Sequence, residues 1–217
     1  MKLKTISIDY TTSKQPGSVT QTSIAATVYN KSKRVLAFCM ASRGTVVSSA
    51  TYNGDSFVRA KRSTAFDGCS VDVWYLVSPT IGTHNIIINF SGIDQNTTVG
   101  VISMSDANIT DPIQDTDEQS GSGSSYSKTL TTEIGGVVIH GFMHSGTKAG
   151  DPSANETILV KRVSNDSSGS AYEKNCTSAS TTVGWSGFYP TDSSFSAAMV
   201  SFRPATIVNA PILMLIM

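Results

Sequence analysis

Helix signals, charge and cysteine are all scarce in this chain of 217 residues. No long window carries an apolar stripe at helical spacing with caps at its ends, which argues against amphipathic helices as building blocks. Only 15% of residues are charged, against about 25% in ordinary domains. Basic and acidic side chains balance at 16 each. A nucleic-acid binder normally needs a basic excess to neutralise phosphates, so no nucleic-acid partner is expected. The groups Lys31/Lys33/Arg34 and Arg59/Lys61/Arg62 read as strand ends and solvent faces rather than a polyanion patch. Cys39, Cys69 and Cys176 form an odd set without CxxC spacing, which argues against a disulfide framework or a zinc site and for free thiols. No segment reaches the ~18–20 apolar residues of a membrane helix, so no membrane insertion is expected. Met1-Lys2-Leu3-Lys4 lacks the apolar core of a signal peptide. That predicts synthesis in a reducing cytoplasm, and with it the Asn-x-Ser/Thr tripeptides at Asn30, Asn96, Asn108, Asn155, Asn165 and Asn175 are read as accidents of composition.

Catalytic motifs are missing as well. There is no Gly-x-Ser-x-Gly elbow, Walker loop or GxGxxG, so a serine nucleophile and a nucleotide site have no support. No catalytic residue, cofactor or metal ligand is assigned, and a non-enzyme is expected. His140 and His144 share a strand face but lie about 13 Å apart at ~3.3 Å per residue, too far to share one metal; they read as near-core polar residues. Asp111, Asp115, Asp117 and Glu118 lack the EF-hand glycine and distal glutamate and read as a solvated acidic loop.

Strand signals fill the chain instead. Val35–Met40 is apolar on both faces, as a central strand covered on both sides requires. Val46–Tyr52, Asn53-Gly54-Asp55 and Phe57–Thr64 form a hairpin pattern, because both turn positions of Asn-Gly take positive φ. Val71–Val77 and His84–Phe90, joined through Pro79–Thr83, predict a second hairpin. Residues 106–128 lose periodicity and contain Ser120-Gly121-Ser122-Gly123-Ser124-Ser125, which predicts a flexible loop. Later strands are expected at Thr129–Glu133, Val137–His144, Thr157–Val163, Ala171–Asn175, Thr182–Tyr189 and Phe195–Phe202, with Gly146–Asn155 as a turn. The fold class is therefore all-β: a two-sheet antiparallel β-sandwich, jelly-roll-like, of about a dozen strands, forming a single domain over 1–205.

Residues 206–217 form an apolar carboxyl-terminal arm. Ile212, Leu213, Met214, Leu215, Ile216 and Met217 would either complete the chain's own core or bury against a neighbouring subunit. Tyr126, Tyr172, Trp185 and Tyr189 are the candidate glycan contacts, since sugar rings stack on flat aromatic faces. For Trp185, flanked by Gly184 and Gly187, a buried sandwich tryptophan is the competing reading.

Three stretches carry a family resemblance: Ser49-Ala50-Thr51-Tyr52-Asn53-Gly54, Val71-Asp72-Val73-Trp74-Tyr75-Leu76-Val77-Ser78-Pro79, and Gly82-Thr83-His84-Asn85 leading into Ile86–Gly92. Together with Thr110-Asp111-Pro112-Ile113 they resemble a recurrent β-sandwich module of bacteriophage virion proteins and large secreted bacterial proteins. The resemblance covers residues 35–113 and brings no catalytic residues with it. It implies a structural protein of a tailed phage particle, a capsid decoration, tail or fibre-type component located in the virion. Its partners would be copies of itself in a homo-oligomer and other virion proteins. The alternative is a carbohydrate-binding or adhesive module whose partner is a cell-surface glycan.

Overall fold

The computed structural model describes residues 2–65, 67–93, 95–163, 166–189 and 193–207. Every regular element among them is a strand, and all pairings are antiparallel. The first half contains β2 (Ser7–Lys14), β3 (Gln21–Val28), β4 (Val35–Arg43), β5 (Val47–Tyr52), β6 (Asp55–Ser56), β7 (Val58–Thr64), β8 (Cys69–Val77), β9 (Gly82–Phe90) and β10 (Gln95–Ser105). The second contains β11 (Ile113–Ser122), β12 (Ser125–Thr131), β13 (Val137–His144), β14 (Lys148–Pro152), β15 (Thr157–Arg162), β16 (Ser167–Lys174), β17 (Ser180–Tyr189) and β18 (Ser194–Phe202). Short strands β1 (Lys2–Leu3) and β19 (Thr206–Ile207) pair with each other near the ends of the chain.

The sandwich class is as expected, and its layering is doubled. The first half forms a five-stranded sheet, β2-β10-β4-β8-β7, and a four-stranded sheet, β3-β9-β5-β6. The second half forms β11-β18-β13-β16-β15 and β12-β17-β14. Taken in chain order, with β6 set aside, each strand of one half has a counterpart in the other, and the sheet orders become identical. Each half is a jelly-roll-like wrap of eight long strands. Its fifth strand, β7 or β15, sits at the edge of the larger sheet.

The two five-stranded sheets pack face to face, so four sheets stack in the order small, large, large, small. Three cores fill the gaps. The first sandwich buries Ile24, Phe38, Tyr52, Trp74, Ile86 and Ile88. The second buries Tyr126, Phe142, Trp185, Phe188, Phe195 and Met199. The middle core joins Val35, Ala37, Cys39, Val71 and Val73 of one half to Val137, Ile139, Met143, Val200 and Phe202 of the other. Strands β4 and β13 therefore have apolar cover on both faces, which is why Val35–Met40 shows no alternation.

Three local expectations change. Asn53 and Gly54 do adopt positive φ in a tight turn, but only β6 completes that hairpin. At Phe57 the chain crosses to the other sheet, where β7 pairs with β8. β8 and β9 are not a hairpin either: they lie in opposite sheets, pairing with β4 and β7 and with β3 and β5 respectively. A strand apolar on both faces, such as β8, is satisfied only between two cores. Residues 106–128 carry β11 and most of β12 rather than a flexible loop, and β14 occupies part of the expected turn at Gly146–Asn155. β11 is an edge strand without a deeply buried face, so its sequence has no period to read.

Candidate functional site

The second sandwich departs from the first in one buried polar network. Tyr126 of β12, His140 of β13 and Glu156, between β14 and β15, point into the same core. The Tyr126 hydroxyl lies 2.7 Å from His140 Nδ1, and His140 Nε2 lies 2.7 Å from Glu156 Oε2. The side chains of His140 and Glu156 have 0% exposure. Burial, with the nearby Glu156 charge adding to it, pushes the Tyr126 hydroxyl well above its ordinary range, so it stays a donor. Tyr126 then donates to Nδ1 and Nε2–H donates to the carboxylate. The second carboxylate oxygen accepts the Gly184 backbone N–H at 3.2 Å. The three side chains lie buried in the core. Chemically the network is a positioning device that ties the backbone of β17 to the core, and each buried polar atom needs its partner.

The first half fills the same places with apolar side chains. Phe38 stands where His140 does, Ile24 where Tyr126 does and Ile86 where Trp185 does, judged by the cross-strand pairs Phe38–Trp74, Ile24–Ile86, His140–Ala171 and Tyr126–Trp185. Outside the core the halves share a cross-strand hydroxyl pair, Thr27–Thr83 at 2.9 Å and Thr129–Thr182 at 2.7 Å, and Ser23 corresponds to Ser125. Beyond these positions the outer faces diverge. On the first half Gln21, Asn89 and Ser49 form a hydrogen-bonded side-chain ladder at 2.7 and 2.9 Å. Where the second half has Gly184 and Ser127 in place of Asn85 and Ala25, a dip of about 200 Å³ opens over Gly184, rimmed by Ser125, Ser127, Asp151, Ser153 and Ser186. A Cβ at Gly184 would come within 2.3 Å of the Tyr126 carbonyl oxygen, so only glycine fits this floor.

Other polar clusters are spent on joining the halves. Asp166 in the second half binds Arg43, and Asn96 donates to it at 2.6 Å. Arg162 donates to Asn96 at 2.6 Å. In the reverse direction Ser145 of the second half hydrogen-bonds Asp67 of the first. Burial raises the Asp67 carboxyl, but hydrogen bonds from Ser145 and Cys69, with the Arg43 charge, outweigh it and hold the group below its usual range. Within the first half, fully buried Asp72 pairs with Arg62 at 2.6 Å, and burial raises its carboxyl despite that partner.

The residues singled out from sequence separate clearly. Of the four candidate glycan contacts, Trp185 (1% exposed), Tyr126 and Tyr172 are buried in cores, because large aromatics at inward strand positions pack there. Tyr189 alone is a surface residue, at 62% exposure. His140 and His144 do share a buried face. The three cysteines are free and buried. Arg59, Lys61 and Arg62 take separate partners in Trp74, Glu118 and Asp72. The acidic residues also disperse, to Arg203 for Asp111, the Thr131 N–H for Asp115, Lys128 for Asp117 and Lys61 for Glu118. Ile212, Leu213, Met214, Leu215, Ile216 and Met217 lie outside the described residues. Glu156 escaped sequence reading, since a lone glutamate in an Asn/Ser-rich turn looks solvated. The chain matches no protein-family model, no curated protein and no solved structure.

Proposed function

We propose that the chain is a non-enzymatic structural protein of a tailed bacteriophage particle, a capsid decoration, tail or fibre-type component that works through subunit contacts. The observation that carries this reading is the packing of the two halves. Equivalent faces meet, and contacts run reciprocally from Arg43 to Asp166 and from Ser145 to Asp67. Such isologous faces are how subunits build closed assemblies. Paired jelly rolls stacked four sheets deep make a stiff block, and jelly rolls recur in viral capsid domains. The resemblance of residues 35–113 points the same way. Copies of the chain and other virion proteins are the partners on this reading, and the virion is its location. Light scattering of the purified protein tests it: a stable homo-oligomer that co-sediments with particle proteins is expected, and a monomer that ignores them would count against it.

A second reading, a carbohydrate-binding or adhesive module, is favoured by the dip over Gly184 and by exposed Tyr189 on the same strand.

A further inference from the structure

The two halves share one scaffold, so a face that one half fills and the other empties is informative. By the pairing above, Gly184 and Ser127 of the second half stand where the first half has Asn85 and Ala25. Gly184 leaves the face open where Asn85 carries a side chain, and Gly150 and Gly187, both at positive φ, lie side by side further along, where a Cβ on Gly187 would sit 3.6 Å from the Gly150 Cα. Emptying the face has a structural cost. The floor has to be held by Glu156, a carboxylate buried to 0% exposure, which accepts the Gly184 N–H. Ser153 N–H holds the Gly184 carbonyl from the other side at 3.1 Å.

The rim has a definite chemistry. Four serine hydroxyls surround the floor, each able to donate and accept. One carboxylate, Asp151, stands at the edge with its charge balanced by Lys161 at 2.7 Å. The rim is therefore hydroxyl-rich and close to neutral, which suits a polyol better than a phosphate or a charged peptide. The volume of about 200 Å³ exceeds the ~150 Å³ of a cavity that holds benzene, enough for one small ring. Tyr189 lies three residues beyond Ser186 on β17, roughly 10 Å away at ~3.3 Å per residue. It supplies an exposed aromatic face for a second ring.

We propose that the dip over Gly184 is a subsite for one neutral sugar ring of an oligosaccharide, whose neighbouring ring stacks on Tyr189. This deepens the second functional reading and rests on it. Sugar hydroxyls replace the rim water at Ser125, Ser127, Ser153 and Ser186, while Asp151 accepts from one of them. Glu156 acts through Gly184 as a positioning residue and does not touch the ligand.

The test is calorimetry on the whole chain with a panel of neutral hexose and N-acetylhexosamine oligosaccharides of two to four units. At least one is expected to bind. Tyr189→Ala, and Ser127→Gln, which refills the dip with an amide, are each expected to weaken binding tenfold or more. Tyr29→Ala removes an exposed tyrosine from the first half and is expected to leave affinity unchanged. The melting temperature of each variant verifies that it is folded. Binding that survives both Tyr189→Ala and Ser127→Gln overturns this site while leaving a carbohydrate-binding protein. Failure of every oligosaccharide to bind overturns the site and the carbohydrate reading together.

Discussion

The thiol of Cys39 lies against Gly141, so close that a Cβ added to Gly141 would fall 2.5 Å from the sulfur. Each is the fifth residue of its strand, β4 or β13, and the two strands are counterparts. At this meeting point of the two halves their sequences differ, because a side chain on Gly141 would run into the Cys39 sulfur. Gly100 against Ser170 is a similar close approach, with only 2.2 Å between a Cβ there and the serine oxygen.

Gly141→Ala should destabilise the protein by about 1–3 kcal/mol, the usual cost of overpacking a filled core. Cys39→Ala should cost less by itself and recover part of the loss when combined with Gly141→Ala. Recovery would be incomplete, because the new methyl also approaches the Gly169 carbonyl at 2.9 Å. Urea denaturation midpoints of the three variants check this.

Removing the partner of a buried charge is a harsher change. Arg62 is the ion-pair partner of Asp72, whose side chain has no exposure, and its guanidinium also donates to the Val47 carbonyl. Arg62→Met should cost about 3–5 kcal/mol, as breaking buried pairs does. The double variant Arg62→Met/Asp72→Leu should recover most of that. A double variant no more stable than Arg62→Met would contradict the pairing.

The network in the second core makes a graded prediction. Tyr126→Phe leaves His140 Nδ1 without its donor and should cost about 1–3 kcal/mol, the penalty for one orphaned buried group. Glu156→Gln keeps an acceptor for His140 and should cost less than Glu156→Ala, which also frees the Gly184 N–H. Equal losses for the two Glu156 substitutions would show that the carboxylate is not holding the floor.

Acid should loosen the seam between the halves. Asp67 has its folded-state pKa lowered by Ser145, Cys69 and Arg43 acting against burial. A depressed carboxyl contributes stability that is present above its unfolded value, ~3.9, and is lost as pH falls through the folded one. Asp67→Asn should therefore flatten the fall in melting temperature below about pH 4 relative to the unaltered chain. An unchanged acid limb would remove Asp67 from the seam.

Strand placement was legible where one face is buried: β3 alternates cleanly, and the Asn53-Gly54 turn follows from backbone sterics alone. Sheet membership was not legible, because whether β9 pairs with β8 or with β3 and β5 depends on contacts far apart in sequence. The duplication was hidden because counterparts keep only their apolar character, as Leu36 and Val138 do, or not even that, as Phe38 and His140 do not. β11 offered no period since its pattern is half-exposed throughout. At Trp185 the flanking glycines allowed a ligand-facing ring, but the buried sandwich tryptophan that competed with it is what the fold contains. Those glycines instead strip the outer face of side chains while the indole turns inward, where it packs on Phe142 at 4.7 Å.

The packing of two like halves through a shared middle core is tested most directly by nuclear Overhauser contacts in the isotope-labelled chain. Contacts are predicted between Cys39 and Gly141, between Gly100 and Ser170, and between the rings of Tyr75 and Phe202, whose centroids lie 6.2 Å apart. Intact contacts within each half, with none of these three between them, would contradict the fold described.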